Sequence, residues 1–260
     1  MSVKTLAAKR FRETALLFDG ENPFSTNKVT GHSLNVPIIG TCLPSTVCAD
    51  RCYFARGPST WNASLRKQHR LLNSLRDDPM KLGTRIADWA KRLKLTFVRW
   101  NGGGDLVQEH IACIAQAASL MPTIPQWVVS RKAAIASKIV PMPNVFVQFS
   151  LDNSSRSRLQ AMQELVVNDL QWFYSYQCDK GEVPEPDVAP VIYRDNYKLN
   201  GEKAGANDCP LNVYDAIDGV CGKCRRCFNG EAVRRVPECR LSLRSRDELL
   251  PLFNSESGGS

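Results

Sequence analysis

The sequence predicts a parallel α/β fold, and three observations carry the prediction. Short runs rich in β-branched and aromatic residues recur along the chain. They alternate with longer stretches that place apolar residues at helical spacing. The runs are short and apolar enough to be strands buried on both faces, as parallel strands are. Such alternation argues strands joined by right-handed helical crossovers.

Taken in order, residues 1–35 form a polar, basic lead-in with one short helix over Lys4–Leu17. Six strands follow, at Val36–Thr41, Leu95–Asn101, Gln126–Ser130, Val145–Leu151, Gln171–Tyr176 and Pro190–Arg194. Pro37 is tolerable because it falls at the beginning of its run, where no ladder N–H is needed. Helices are expected at Trp61–Arg76, from Pro79 toward Lys94, and at Leu106–Leu120, Lys132–Ile139 and Ser155–Asn168. Asn153 and the serines after it suit the start of the last of these. Six strands over residues 36–195 fit a doubly wound sheet or an open, partial barrel, and are too few for an eight-unit barrel. From about residue 196 Asn, Gly, Asp and Cys take over and the helical period is lost. Residues 196–245 therefore read as a Cys-rich, metal-stapled appendage, too small to hold itself by a core. Residues 246–260 read as a tail, partly disordered.

Bulk composition narrows the class. With 260 residues, 43% hydrophobic and 23% charged, the chain can bury a sizeable core. It contains no apolar run of about 18 residues and no apolar signal-like core near its start, so no membrane contact is expected and a cytoplasmic location is. Ten cysteines in that setting point to metal or catalysis rather than disulfides. Histidine occurs three times only, which weighs against His-ligated zinc and against Ser-His or Cys-His nucleophiles. The formal charge of +8 makes nucleic acid a candidate partner, beside a plain solvated basic surface. The five tryptophans read as core.

Three motifs carry the chemistry. The first is Cys42, Cys48 and Cys52, spaced C-x5-C-x3-C after the first apolar run. Three thiolates on a four-iron cluster leave one iron without a protein ligand, whereas zinc would take a remote fourth ligand. The second is Gly102-Gly103-Gly104-Asp105 after the second strand, where glycines let backbone approach a ligand and a carboxylate can take up an ammonium group. It lacks the Gly-Lys-Ser/Thr ending of a P-loop. The third is the polar end of the fourth strand, Ser150 and Asp152, suited to a ribose or to capping the next helix. A further group, Cys209, Cys221, Cys224 and Cys227, includes C-x2-C-x2-C and fits either a second 4Fe–4S cluster or a structural zinc.

In this order the motifs resemble the radical S-adenosylmethionine superfamily, and most of all the small cysteine-rich radical-SAM-like proteins of bacteriophages. The resemblance covers roughly residues 36–230. It implies a partial (β/α)6 barrel of radical SAM type with a C-terminal Cys-rich metal-binding appendage. It implies that Cys42, Cys48 and Cys52 hold a 4Fe–4S cluster, that Gly102, Gly103, Gly104 and Asp105 meet the amino group of S-adenosylmethionine, and that Ser150 and Asp152 bind its ribose. Three departures are plain: the superfamily's usual spacing is C-x3-C-x2-C, an aromatic residue usually precedes the third cysteine where Arg51 stands here and Tyr53 follows, and its usual acid is Glu rather than Asp.

The implied activity is reductive cleavage of S-adenosylmethionine to a 5′-deoxyadenosyl radical, which takes a hydrogen atom from a substrate. The substrate expected is a nucleic-acid base, with a hypermodified base of phage DNA as the specific candidate and isomerase-type chemistry on it. A peptide is the other candidate. A reductase or flavodoxin-type electron donor, a monomeric state and a host-cytoplasm location complete the expectation. A different class also fits the cysteines: a non-enzymatic nucleic-acid-binding protein stapled by two zincs.

Overall fold

The computed structural model describes residues 14–27, 29–152, 154–155, 170–178, 188–193, 206–209 and 220–236. Their strands are β1 (Ser25–Asn27), β2 (Gly31–Asn35), β3 (Val98–Gly103), β4 (Gln126–Ser130), β5 (Val145–Leu151), β6 (Gln171–Gln177) and β7 (Val191–Tyr193). All lie in one seven-stranded sheet whose spatial order follows the chain from β1 to β7. The first pair is antiparallel and every later pair parallel. A doubly wound sheet needs a reversal of strand order, and none occurs here. Right-handed crossovers that always step the same way stack their helices on a single face.

The expected strands after the first are found where the sequence puts them, with bounds moved by a few residues. The first is displaced. The Val36–Thr41 run is a turn, and the strand precedes it at Gly31–Asn35. Val36 N–H makes the last bond to β3, to Gly103 O at 3.0 Å. Pro37 then offers no N–H, Cys42 N–H closes back on Ile38 O at 3.1 Å, and Gly40 turns the chain at φ +86°. The hairpin β1–β2 is an addition to the expected strands. Asn27 Oδ1 accepts from the N–H groups of Val29 (3.0 Å) and Thr30 (2.7 Å), a side-chain-stabilised turn. The sheet thus begins inside the stretch that reads as a lead-in.

The helices are α1 (Thr46–Arg51), α2 (Asn62–Asp77), α3 (Pro79–Arg92), α4 (His110–Leu120), α5 (Ala133–Ala136), α6 (Val220–Cys224) and α7 (Glu231–Arg234). Asp78 caps α3 by accepting from Lys81 N–H at 2.9 Å, with Pro79 in the first turn where its missing N–H costs nothing. The helix expected from Leu106 starts only at His110. Side chains instead of helix take up the intervening N–H groups, Leu106 on Asp105 Oδ1 (2.7 Å) and Val107 on His110 Nδ1 (3.0 Å). The helix expected over Lys132–Ile139 shortens to four residues. Residues 14–18 are not helical. The rest of the Lys4–Leu17 helix, the Ser155–Asn168 helix, Asn153, most of 196–219 and the 246–260 tail lie outside the described residues.

The two sheet faces differ. Trp100, Val128 and Val147 sit in adjacent register and join the main core, where Leu71, Leu75, Leu82 and Ile86 of α2 and α3 pack. The opposite face carries Arg99, Trp127 and Phe146 in register, then Gln148, Ser150 and Ser175 further along. The segment 220–236 covers that second face. Its Phe228 stacks on Phe97 with ring centroids 4.2 Å apart and lies 5.8 Å from Trp127. Trp100, Trp127 and Trp172 are buried as expected, but Trp61 is 66% exposed because it caps a short 3-10 turn beyond the core.

Candidate functional site

The first three motifs meet at the C-terminal ends of β3, β4 and β5. Cys42 ends the turn after β2, Cys48 lies in α1 and Cys52 follows α1 directly. Ser45 caps α1, accepting from Cys48 N–H at 3.2 Å. Burial pushes the Cys42 thiol up to about 12, and the Asp105 carboxylate, Cys48 and Cys52 add to the rise. Burial also raises the Cys48 thiol, against the pull of the Arg131 guanidinium, while Cys52, Asp152 and Asp105 raise it further. Hydrogen bonds tie this loop to Asp105 through Thr41 and to Asp152 and Arg131 through Ser45.

Aromatic residues after Cys52 clamp this loop onto the glycine run. Tyr53 O–H donates to the Gly102 carbonyl oxygen. The Phe54 ring covers Gly103 so closely that a Cβ there would overlap it. Gly104 adopts φ +82°, and a Cβ on it would lie 2.5 Å from Val36 O, so both its conformation and its space require glycine. Asn101, just before, takes φ +54° and donates to Val129 O at 3.1 Å.

Asp105 is buried at the junction of β3 and β4. Its Oδ1 accepts from Leu106 N–H (2.7 Å) and Ser130 O–H (2.6 Å), and its Oδ2 from Arg131 N–H (3.1 Å). Its own N–H donates to Thr41 Oγ1 at 3.1 Å, tying it to the residue before Cys42. Burial raises its carboxyl above the ordinary range, and these donors partly oppose the rise.

Asp152 anchors the loop from β5. It is fully buried. Its Oδ2 meets Arg131 Nη1 at 2.8 Å and accepts from Ser45 O–H. Its Oδ1 accepts from Ser154 O–H (2.7 Å) and Ser155 O–H (3.0 Å). Burial pushes this carboxyl up, but the serines and Arg131 outweigh it and hold it below its ordinary value. Ser150 stands on the second face with its hydroxyl 3.5 Å from that of Ser175. Gln148 accepts from Trp127 Nε1–H (2.8 Å) and donates to Ser175 Oγ (2.7 Å), extending this polar strip.

The second cysteine group gathers against the same face. Cys221 and Cys227 pack on the cluster of Phe97, Trp127, Phe146 and Phe228. Cys209 follows the bridge between Ile192 and Asp208, and its N–H donates to Ile192 O at 2.8 Å. Burial raises the Cys227 thiol far above the ordinary range, and Cys209, Cys221 and Cys224 raise it further. Every cysteine among the described residues is a free thiol. No group of three or more His, Cys, Asp or Glu side chains among the described residues stands in a metal-binding array. By residue type alone, three half-buried thiols in one group and four in the other are of the kind that ligates iron–sulfur clusters or zinc.

All the site residues expected from the sequence fall into these two groups and the strand ends between them. Arg131 enters by its ion pair with Asp152, and Ser45, Thr41 and Ser130 enter by hydrogen bonds. Its place just past the third expected strand marks Arg131 in the sequence as able to approach a ligand carboxylate or to face solvent, and the structure pairs it with Asp152; the serines and Thr41 carry no such signal. Among the described residues no helix is long and apolar enough to cross a membrane. A family model described as gene product 88 matches residues 6–230, so the chain belongs to the gene product 88 family. No curated protein and no solved structure matches it.

Proposed function

We propose that this gene product 88 family member is a radical S-adenosylmethionine enzyme acting on a nucleic-acid base. The observation that carries the reading is the tie between the Cys42–Cys52 loop and the end of β3, where Asp105 N–H donates to Thr41 Oγ1 beside Cys42 and Tyr53 O–H donates to Gly102 O. Ligands of parallel α/β folds bind at such strand ends. The single winding direction of β2–β7 supports a partial (β/α)6 barrel, the scaffold this chemistry uses. A 4Fe–4S cluster with one open iron, when bound with S-adenosylmethionine, supplies the electron and the radical.

The protein's own residues hold and shield. Cys42, Cys48 and Cys52 would ligate the cluster. Asp105 Oδ2, which accepts from Arg131 N–H, has lone pairs for an ammonium donor. Ser150, half-buried on the second face, suits a ribose hydroxyl. Asp152 spends its oxygens on Ser45, Arg131, Ser154 and Ser155, so its part is to position the cysteine loop. The net charge of +8 favours a polyanionic substrate over a peptide.

The test is anaerobic reconstitution with iron and sulfide, followed by S-adenosylmethionine and dithionite. 5′-Deoxyadenosine should form, and Cys48→Ser should abolish it. A colourless protein that takes up zinc at both cysteine groups and forms no 5′-deoxyadenosine would instead support the zinc-stapled binding protein.

A further inference from the structure

We propose that Lys223, Arg225 and Arg234, three exposed cations on the segment 220–236, grip the phosphate backbone of nucleic acid. The inference rests on the nucleic-acid reading of the substrate and on no metal or cofactor.

The segment holds five Lys or Arg and one acid, Glu231, a net +4 that is half the formal charge of the whole chain. Its cations divide into two sets. The protein itself holds Arg226 and Arg235. Both pair with Glu231 Oε1, at 3.3 and 3.0 Å, and they donate to Asp208 O (3.4 Å) and Asn207 Oδ1 (2.7 Å). Lys223, Arg225 and Arg234 are exposed, and no ion pair holds any of them among the described residues. The Arg225 guanidinium lies 5.8 Å from the Phe228 ring centroid, at the outer limit of a cation–π contact.

The backbone singles out Arg225. It follows α6 directly and takes the left-handed conformation, φ +57° and ψ −1°. Its N–H donates to Cys221 O and its carbonyl accepts from Phe228 N–H, both at 2.9 Å, so the turn closes the helix. Glycine or asparagine makes such a turn at lower cost than arginine. The left-handed turn before α7 does use glycine, Gly230 at φ +81°. A long cation kept where the backbone favours glycine directs attention to its side chain. Concentrated, internally unpaired positive charge attracts a polyanion, and successive phosphates match separate cations. The segment packs on β4, β5 and β6, on the sheet face that carries Ser150, so a strand gripped there runs beside the proposed site.

The experiment measures binding of the full chain to a short labelled DNA duplex by fluorescence anisotropy over a range of salt. Lys223→Gln, Arg225→Gly and Arg234→Gln should each weaken binding about fivefold and flatten the slope of log K against log salt by about 0.9. Arg225→Gly also relieves the left-handed turn, so its urea midpoint should hold or rise while its binding falls. A lower midpoint would give the side chain a structural duty and overturn its assignment. Arg225→Asn, which accepts the same turn, carries the test where the glycine variant does not fold. Wild-type binding with unchanged affinity and slope in the variants overturns the inference and leaves the substrate reading standing. No binding by the wild type overturns both, while formation of 5′-deoxyadenosine still tests the radical chemistry by itself.

Discussion

Asp152 is the strongest test of how the site is held. Its carboxylate is fully buried and pairs with an Arg131 side chain that is itself 11% exposed. Substituting Asp152→Asn keeps the shape and the two bonds from Ser154 and Ser155 at Oδ1, but turns an amide N–H toward Arg131 and Ser45, both donors. A buried guanidinium is then left without its counter-charge. Breaking one side of a buried ion pair costs about 3–5 kcal/mol. Arg131→Met alone should cost somewhat less, because the three serine hydroxyls still satisfy the carboxylate. The double variant should cost less than the two single costs together, with a coupling of about 2 kcal/mol. The assay is equilibrium urea unfolding of the metal-free full chain, with ΔG extrapolated linearly. A cost below about 1 kcal/mol for Asp152→Asn, or additivity within about 0.5 kcal/mol, would refute the anchor.

Four further outcomes follow from the same geometry. Gly103→Ala should displace the Phe54 ring, lowering stability by about 1–3 kcal/mol in urea unfolding and speeding loss of iron from the first site. Tyr53→Phe should cost about 1 kcal/mol by removing the bond to Gly102 O, with the sheet unaltered by circular dichroism. Phe228→Ala should cost about 3–5 kcal/mol and loosen the second cysteine group from the sheet, read as accelerated modification of its thiols. Burial holds His110 at about 4 against an ordinary 6.5, so it stays neutral and accepts from Val107 N–H. Because the unfolded chain takes the proton first, stability should fall as pH drops from about 6.5 toward about 4, by roughly 3 kcal/mol, and the slope should shrink in His110→Asn.

Much of the sheet was legible because its central strands are rich in Val, Phe and Trp. Val145–Leu151 and Gln126–Ser130 declare themselves by composition. The first strand was not, because Gly31–Asn35 is polar on one face while the apolar run beside it contains Pro37 and turns at Gly40. The cysteine, glycine and Ser150–Asp152 motifs were legible as spacing and type. Their supports were not. Ser45 and Asp152 are 107 residues apart, and nothing local in either tells of the other. Arg99 reads in sequence as an ordinary charged residue on a strand, and only the register of β3 against β4 sets it over Trp127. Phe228 likewise looks like a loop aromatic until the segment 220–236 folds onto β4, β5 and β6.

The most direct measurement is the iron bound per chain after anaerobic reconstitution, in the wild type and in a variant with Ser at 42, 48 and 52. A cluster on each cysteine group predicts about eight irons for the wild type and about four for the variant. Equal iron in the two proteins would contradict the central claim that these three thiols cradle a cluster.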